Sequence, residues 1–275
     1  MYGAPAMLIM MAGVGYLRGL KDTVRPLWIA VGTALLNLIL EIILIYGFSM
    51  KIGSSAAATV IAQWVGALIY LNLIGQTIRP YHIPIIPNFR VIGQLLKVSW
   101  ELFIRNLSIT STFLVATAAA TRLGNIDVAA HQVAYQAWFM LAMTMDAMAI
   151  AAQTLVGNLL GADKAKEAIA VGRRTIIWSV GVGILSGGIL AAIHVPLAQV
   201  FSDDQAVISL TEFLFIHVAL MAPISGIAFA LDGILIGAGD QNFLAKTMAG
   251  TAMVTIALML VTRGLNLGIG WLWAT

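Results

Sequence analysis

An all-helical, polytopic membrane protein is the fold class this sequence predicts, and three observations predict it. Hydrophobic residues make up 60% of the chain and charged residues 10%, against about 25% charged in a soluble domain. The apolar residues run in blocks near the ~20 that a helix needs to cross a bilayer, without strand alternation. The stretch Ala4–Asp22 also returns, ungapped, at Ala222–Asp240. Ala4/Ala222, Pro5/Pro223, Gly15/Gly233, Leu17/Leu235, Gly19/Gly237 and Asp22/Asp240 coincide, and the register holds to Leu40/Leu258 with 12 identities in 37 positions. A long-period repeat of this kind fixes architecture.

Eight spans follow in order, at about 1–17, 26–48, 54–77, 91–121, 127–158, 172–197, 207–237 and 243–262, by the ~20-residue requirement. A ninth begins at Leu267 and runs to Thr275. Polar breaks separate them: Arg18–Arg25, Ser49–Gly53, Arg79–Arg90 with three prolines, Gly124–Asp127, Gly161–Lys166 and Ser202–Gln205. The 26 glycines and 13 methionines suit closely packed membrane helices.

Charges orient the chain. Alternate connections hold Arg18, Lys21, Arg25, Arg79, Arg90, Lys97, Lys164, Lys166, Arg173, Arg174 and Lys246 on one side, and only Lys51, Arg122 and Arg263 on the other. The richer side is expected to be cytoplasmic. Six spans separate the starts of the two repeat copies. Six is even, so both copies run the same way through the membrane, a parallel repeat with its axis along the membrane normal. A six-span unit repeated twice predicts a 12-helix fold. This chain is then expected to be a fragment holding spans four to eleven and the start of twelve. Its expected parts are 1–78 as the end of the first lobe, 79–90 as a cytoplasmic linker and 91–275 as the second lobe.

Several function classes fall away. There is no cysteine, hence no disulfide or thiolate metal site, and the +3 net charge is too small and scattered for nucleic acid. No H-E-x-x-H zinc motif occurs. Gly237-Ala238-Gly239-Asp240 lacks the Lys-Ser/Thr of a phosphate loop and reads as a helix end with a turn. No nucleophile or paired-acid motif points to an enzyme.

The candidate residues are the ionisable groups inside spans: Glu41, Glu101, Arg105, Asp146 and Asp232. A charge at the bilayer centre costs roughly 2.5–3.5 kcal/mol, so each must be paired, protonated, watered or near the interface. Glu101 and Arg105, four apart, share a helix face. They form either a self-neutralising pair or a site where Glu101 exchanges Arg105 for a proton or sodium. Asp232 stands opposite Val14 in the repeat, so it is an acid added to one lobe alone. It either caps and pairs near the cytoplasmic end or carries function. Asp146 and Gln153 share a face of span 127–158, for interhelical hydrogen bonding or ion contact. Glu41, with Asn37 four residues before it, makes a polar face in mid-span, either a protonatable site or a packing contact. His131 is either a titrating group or a satisfied structural histidine. Trp28, Trp64, Trp100, Trp178, Trp271 and Trp273 sit mostly at span ends, as interface anchors do. Trp138 lies deeper, for core packing or for stacking on an aromatic or cationic substrate. Pro5 and Pro223 mark matching bends.

The order and spacing of Gly3-Ala4-Pro5-Ala6, Gly15-x-Leu17-x-Gly19, Glu101-Leu-Phe-Ile-Arg105, Ala129-Ala130-His131-Gln132-Val133-Ala134, Asp146-Ala147-x-Ala149-x-Ala151-x-Gln153 and Asp232-Gly233-x-x-x-Gly237 resemble the multidrug and toxic compound extrusion (MATE) family, in its DinF-like branch. The resemblance runs from end to end. It implies two six-helix lobes around a cleft, and export of organic cations, drugs or metabolites in exchange for protons or sodium. It implies no cofactor beyond the transmembrane proton or sodium gradient, a lipid bilayer as surroundings, a bacterial inner membrane location and a monomer when full length. The acidic residue that this branch carries in its first helix has no counterpart here. Two other readings stand beside it. A lipid-linked saccharide flippase of the same superfamily should line a lateral groove with several basic residues, and Arg105 is the only arginine deep in a span. A membrane fragment without transport activity is the other.

Overall fold

The computed structural model describes residues 2–47, 53–79, 88–265 and 267–275. Among these there is no strand; the helices are α1 (Ala4–Gly19), α2 (Val24–Ile42, extended by a wider turn Ile43–Gly47), α3 (Gly53–Ile78), α4 (Phe89–Leu123), α5 (Asn125–Gly161), α6 (Ala165–Phe201), α7 (Gln205–Ala238), α8 (Gln241–Gly264) and α9 (Ile269–Ala274). Seven of them are long and apolar enough to cross a membrane. The expected linker 79–90 falls mostly on residues 80–87, and the break at Ser49–Gly53 with its Lys51 on 48–52; both lie outside the described residues.

The first expected span corresponds to α1, Ala4–Gly19. The later helices are longer than read. α6 covers 37 residues where 26 were expected, because hydropathy marks what lipid accepts, not where a helix ends. Lys166 and Glu167, which precede the expected span, are polar but good helix formers, so α6 runs back through them to Ala165. Asn88 and Asp204 set the starts of α4 and α7 by accepting backbone N–H groups of the first turn.

The chain forms two compact units, Met1–Pro87 and Asn88–Thr275. In the first, α3 packs against both α1 and α2, around buried Leu17, Ile29 and Tyr70. In the second, α7 is the central helix, packed along α5 and α6, while α4 pairs with α8. Small residues make the α7 seams possible. A Cβ added to Gly233 would overlap the Ala149 carbonyl of α5, and one on Gly226 would overlap the Ser179 carbonyl of α6. Pro223 lies inside α7 and frees the Ala219 carbonyl one turn earlier. Gly187 of α6 packs against that oxygen, at 2.5 Å from where its Cβ would sit. Pro5, its mate in the repeat, lies in the first turn of α1.

The repeat has a structural counterpart in both units. After α1, Lys21 adopts φ 64°, and its partner Gly239 after α7 adopts φ 80°. Lys21 N–H donates to the Arg18 carbonyl and Asp22 N–H to Leu17; Gly239 and Asp240 donate to Ile236 and Leu235, the same positions 218 residues on. Asp22 then caps α2 through the N–H groups of Val24 and Arg25, as Asp240 caps α8 through Phe243.

Candidate functional site

Two polar clusters interrupt the apolar helices, one in each unit. In the second unit Asp232 is 6% exposed on α7. Arg105 of α4 reaches it with both arms of its guanidinium: Nε donates to Oδ1 at 2.8 Å, and Nη2 pairs with Oδ2. Its remaining arm, Nη1, donates to Asn106 Oδ1 at 2.8 Å. This planar, bidentate geometry is the strongest that a guanidinium offers a carboxylate. The expected Glu101–Arg105 pair does not form. Helical spacing allows it, but the Arg105 guanidinium is taken up by both Asp232 oxygens and by Asn106. Glu101 is buried, 9% exposed, and accepts from Asn242 Nδ2 of α8 at 3.1 Å. Three helices thus hold the cluster, and beside Asp232 the bare Gly233 brings α7 onto α5.

In the first unit Glu41 of α2 accepts a 2.6 Å hydrogen bond from Ser55 Oγ of α3. One turn away Asn37 Nδ2 donates to Thr59 Oγ1 at 3.4 Å, and Thr59 donates to the Ser55 carbonyl at 2.9 Å. Asn37 Oδ1 is buried and has no partner. Carboxylate, amide carbonyl and two hydroxyls therefore share one helix–helix interface, all oxygen donors. Among the described residues no basic side chain pairs with Glu41. The two acids differ in kind: Asp232 carries its own counter-ion, and among the described residues Glu41 is held by a hydroxyl.

Asp146 and Gln153 are not brought together. Asp146 is half-buried and Gln153 exposed, and among the described residues neither side chain makes the expected interhelical hydrogen bond. The face of α5 that packs inward carries Met145, Ala149, Ala152 and Val156. Each polar residue stands one position, about 100° of helix, past a seam residue. Gln153 contributes its backbone instead, where Gly237 packs against its carbonyl.

His131 is 4% exposed and bonded at both nitrogens. The Trp273 indole N–H donates to Nδ1 at 3.2 Å, and Nε2 lies 3.2 Å from Thr117 Oγ1. An indole can only donate, so Nδ1 is bare and Nε2 carries the proton toward Thr117. The imidazole is neutral in this arrangement. Trp273, read from sequence as an interface anchor, is drawn inward by this bond. Ser55, Thr59 and Asn242 were also missed. They are ordinary polar residues near span ends, and only the packing of another helix gives them a partner.

Residues 102–261 match the MatE family. The chain belongs to the MatE family. Protein DETOXIFICATION 44, chloroplastic, of Arabidopsis thaliana is 31% identical over 99% of this chain and 52% of its own length. DNA damage-inducible protein F of Escherichia coli (strain K12) is 26% identical over 98% of this chain and 63% of its own, a counterpart for the DinF-like resemblance. Among solved structures, a MATE in the straight conformation superposes with TM-score 0.89 at 17% identity, covering 98% of this chain and 62% of that one. An outward-facing multidrug resistance MATE family transporter gives 0.87 at 16% identity, over 99% and 62%. These two establish the MATE fold. The chain spans about half the length of the Arabidopsis thaliana relative. Fold and family are those of transporters.

Proposed function

We propose that this MatE chain is part of a cation-coupled antiporter that exports organic cations, drugs or related metabolites, with two six-helix lobes giving alternating access. On this reading 1–78 closes the first lobe, 79–90 links the lobes and 91–275 builds most of the second. The protein is a multi-pass component of a bacterial inner membrane, monomeric when full length, driven by a proton or sodium gradient.

One observation carries the reading: Glu41 is a carboxylate inside a span with oxygen ligands around it and no basic partner among the described residues. An intramembrane acid of this kind can lower its cost by taking up a proton or a small cation. Asp232 cannot take one without giving up Arg105. It suits a different role, a latch between α4 and α7 that opens when Asp232 is protonated and Arg105 turns to Glu101 one turn away. Because Arg105 is already engaged, no free arginine remains deep in the second unit for a lipid phosphate, which weighs against the flippase reading.

The test is ethidium efflux from proteoliposomes holding the full-length protein, under an imposed proton or sodium gradient. Glu41→Gln is expected to abolish gradient-driven efflux while leaving downhill leakage and folding unchanged. Efflux by Glu41→Gln at the wild-type rate overturns the assignment of coupling to this residue.

A further inference from the structure

Helix α6 packs against α5 and α7 and turns its other side outward. The packed side carries Ala168, Gly172, Thr175, Ser179, Gly183 and Gly187, all buried. At 3.6 residues per turn, Lys166, Ala170, Arg173 and Arg174 fall on the opposite side, and all four are exposed. Ala170 stands four residues after Lys166, three before Arg173 and four before Arg174. Such spacings make neighbours on a helix surface, about 5–6 Å apart at Cβ. The small alanine is therefore the floor of a shallow dish with a cation on three sides. Among the described residues none of the three cations pairs with an acid. Glu167, the acid beside them, is taken by Lys164 at 3.0 Å.

The dish sits at a definite depth. From Thr175 to Phe201 there is no aspartate, glutamate, lysine or arginine. That stretch rises ~40 Å, enough to cross the ~30 Å hydrocarbon core, so Arg173 and Arg174 are the last charges before lipid. Trp178, 68% exposed, follows Arg174 by one turn, where an interfacial tryptophan belongs. Ile169 and Ile177, 72% and 62% exposed, stand one turn before and after Arg173. An arginine set in an outward apolar stripe, with no acid of the protein beside it, takes its counter-charge from outside the protein. At this depth the available anion is a lipid phosphate, which the guanidinium fork fits, and basic residues at a membrane edge draw anionic lipids.

Farther along the same outward line lie Gly181 and Gly188, where an added Cβ would meet nothing within 4 Å. Ile184 and Leu185, both exposed, stand to either side. The bare glycines leave a furrow between these two ridges, leading from the dish toward the middle of the span. α9, at the position that the repeat gives to the counterpart of α3, packs on α4, α7 and α8, not on this furrow.

We propose that this face of α6 binds one anionic glycerophospholipid of the leaflet beside the α5–α6 turn. Its phosphate rests over Ala170 between Lys166, Arg173 and Arg174, and one acyl chain follows Gly181 and Gly188. The site shares no residue with the Glu41 or Asp232 clusters and does not depend on the coupling scheme.

Native mass spectrometry of the purified protein in detergent, titrated with dioleoyl phosphatidylglycerol or dioleoyl phosphatidylcholine, tests this. One phosphatidylglycerol should bind in preference to phosphatidylcholine. Arg173→Gln with Arg174→Gln should weaken phosphatidylglycerol binding about thirty-fold, the combined worth of two basic residues at a phosphate surface. Arg173→Lys with Arg174→Lys keeps both charges but loses the forks and should fall between. Gly181→Leu fills the furrow and should weaken binding as well. Arg122→Gln with Arg263→Gln removes as many charges at the opposite helix ends and should bind as the parent does. Glycerol 3-phosphate at the lipid's concentration should not displace it. Equal binding of the two lipids overturns the proposal, and so does unchanged binding in the double glutamine variant of α6 or in Gly181→Leu. Equal loss in Arg122→Gln with Arg263→Gln overturns it too, since net charge alone would then be at work. Displacement by glycerol 3-phosphate does the same, by marking a site for soluble phosphates.

Discussion

At the scale of single residues, the pair Arg105–Asp232 makes the sharpest demand. Removing one partner leaves the other charge buried, at a cost of about 3–5 kcal/mol, whereas replacing both with apolar residues of like volume can be neutral. Asp232→Asn should therefore lower the thermal midpoint in detergent markedly. Arg105→Met with Asp232→Leu should recover most of the loss. Thermal unfolding of the two singles and the double closes the cycle, and additive losses would mean that the pair is not coupled. Asp232 was legible in the sequence because it breaks the repeat at Val14. Its partner was not: Arg105 is 127 residues away, and helical spacing offered Glu101 as the nearer choice. Glu41 was legible by its depth in a span, and Asn37 by its spacing. Ser55 and Thr59 were not, because two helices had to be docked before those hydroxyls met them.

At the scale of elements, the repeat allows one substitution to be tried twice. Gly233 and Gly15 are the same position in the two copies. A methyl on Gly233 would overlap the Ala149 carbonyl, backbone that cannot swing aside, and one on Gly15 meets nothing within 4 Å. Gly233→Ala should cost about 1–3 kcal/mol by overpacking the α5–α7 seam. Gly15→Ala should be neutral or gain up to about 1 kcal/mol from helix propensity. Chemical unfolding of both variants of the 275-residue chain checks the pair, and equal losses would show that neither depends on the neighbouring helix. The surrounding residues extend the contrast. Ala222, Gly226 and Ala230 are buried on α7, and their mates Ala4, Leu8 and Ala12 are exposed on α1. Helix existence and order were readable because Pro, Asp and Gly punctuate the apolar blocks. Helix length was not, since charged helix formers such as Lys166 and Glu167 look like loop to a hydropathy reading.

At the scale of the whole molecule, the orientation drawn from loop charge is open to direct test. The charge count places the turn between α5 and α6 in the cytoplasm and the turn between α6 and α7 outside. The chain has no cysteine, so a single introduced thiol reports on its own surroundings without any background to remove. Ala162 and Asp203 sit exposed in those two turns. Neither side chain takes part in a cap: Asp204 holds α7 and Lys164 precedes α6. In intact cells a membrane-impermeant maleimide should label Asp203→Cys and leave Ala162→Cys unlabelled until the membrane is opened. The two turns are joined by one helix of 37 residues, ~56 Å long, which exceeds the ~30 Å hydrocarbon core. Both thiols should therefore stand clear of lipid and react fast once accessible. Labelling of both positions in intact cells would mean that α6 does not cross the membrane. Labelling of Ala162→Cys alone would invert the orientation, and with it the side of the membrane that Asp232 and Glu101, near the α7–α8 turn, stand closest to.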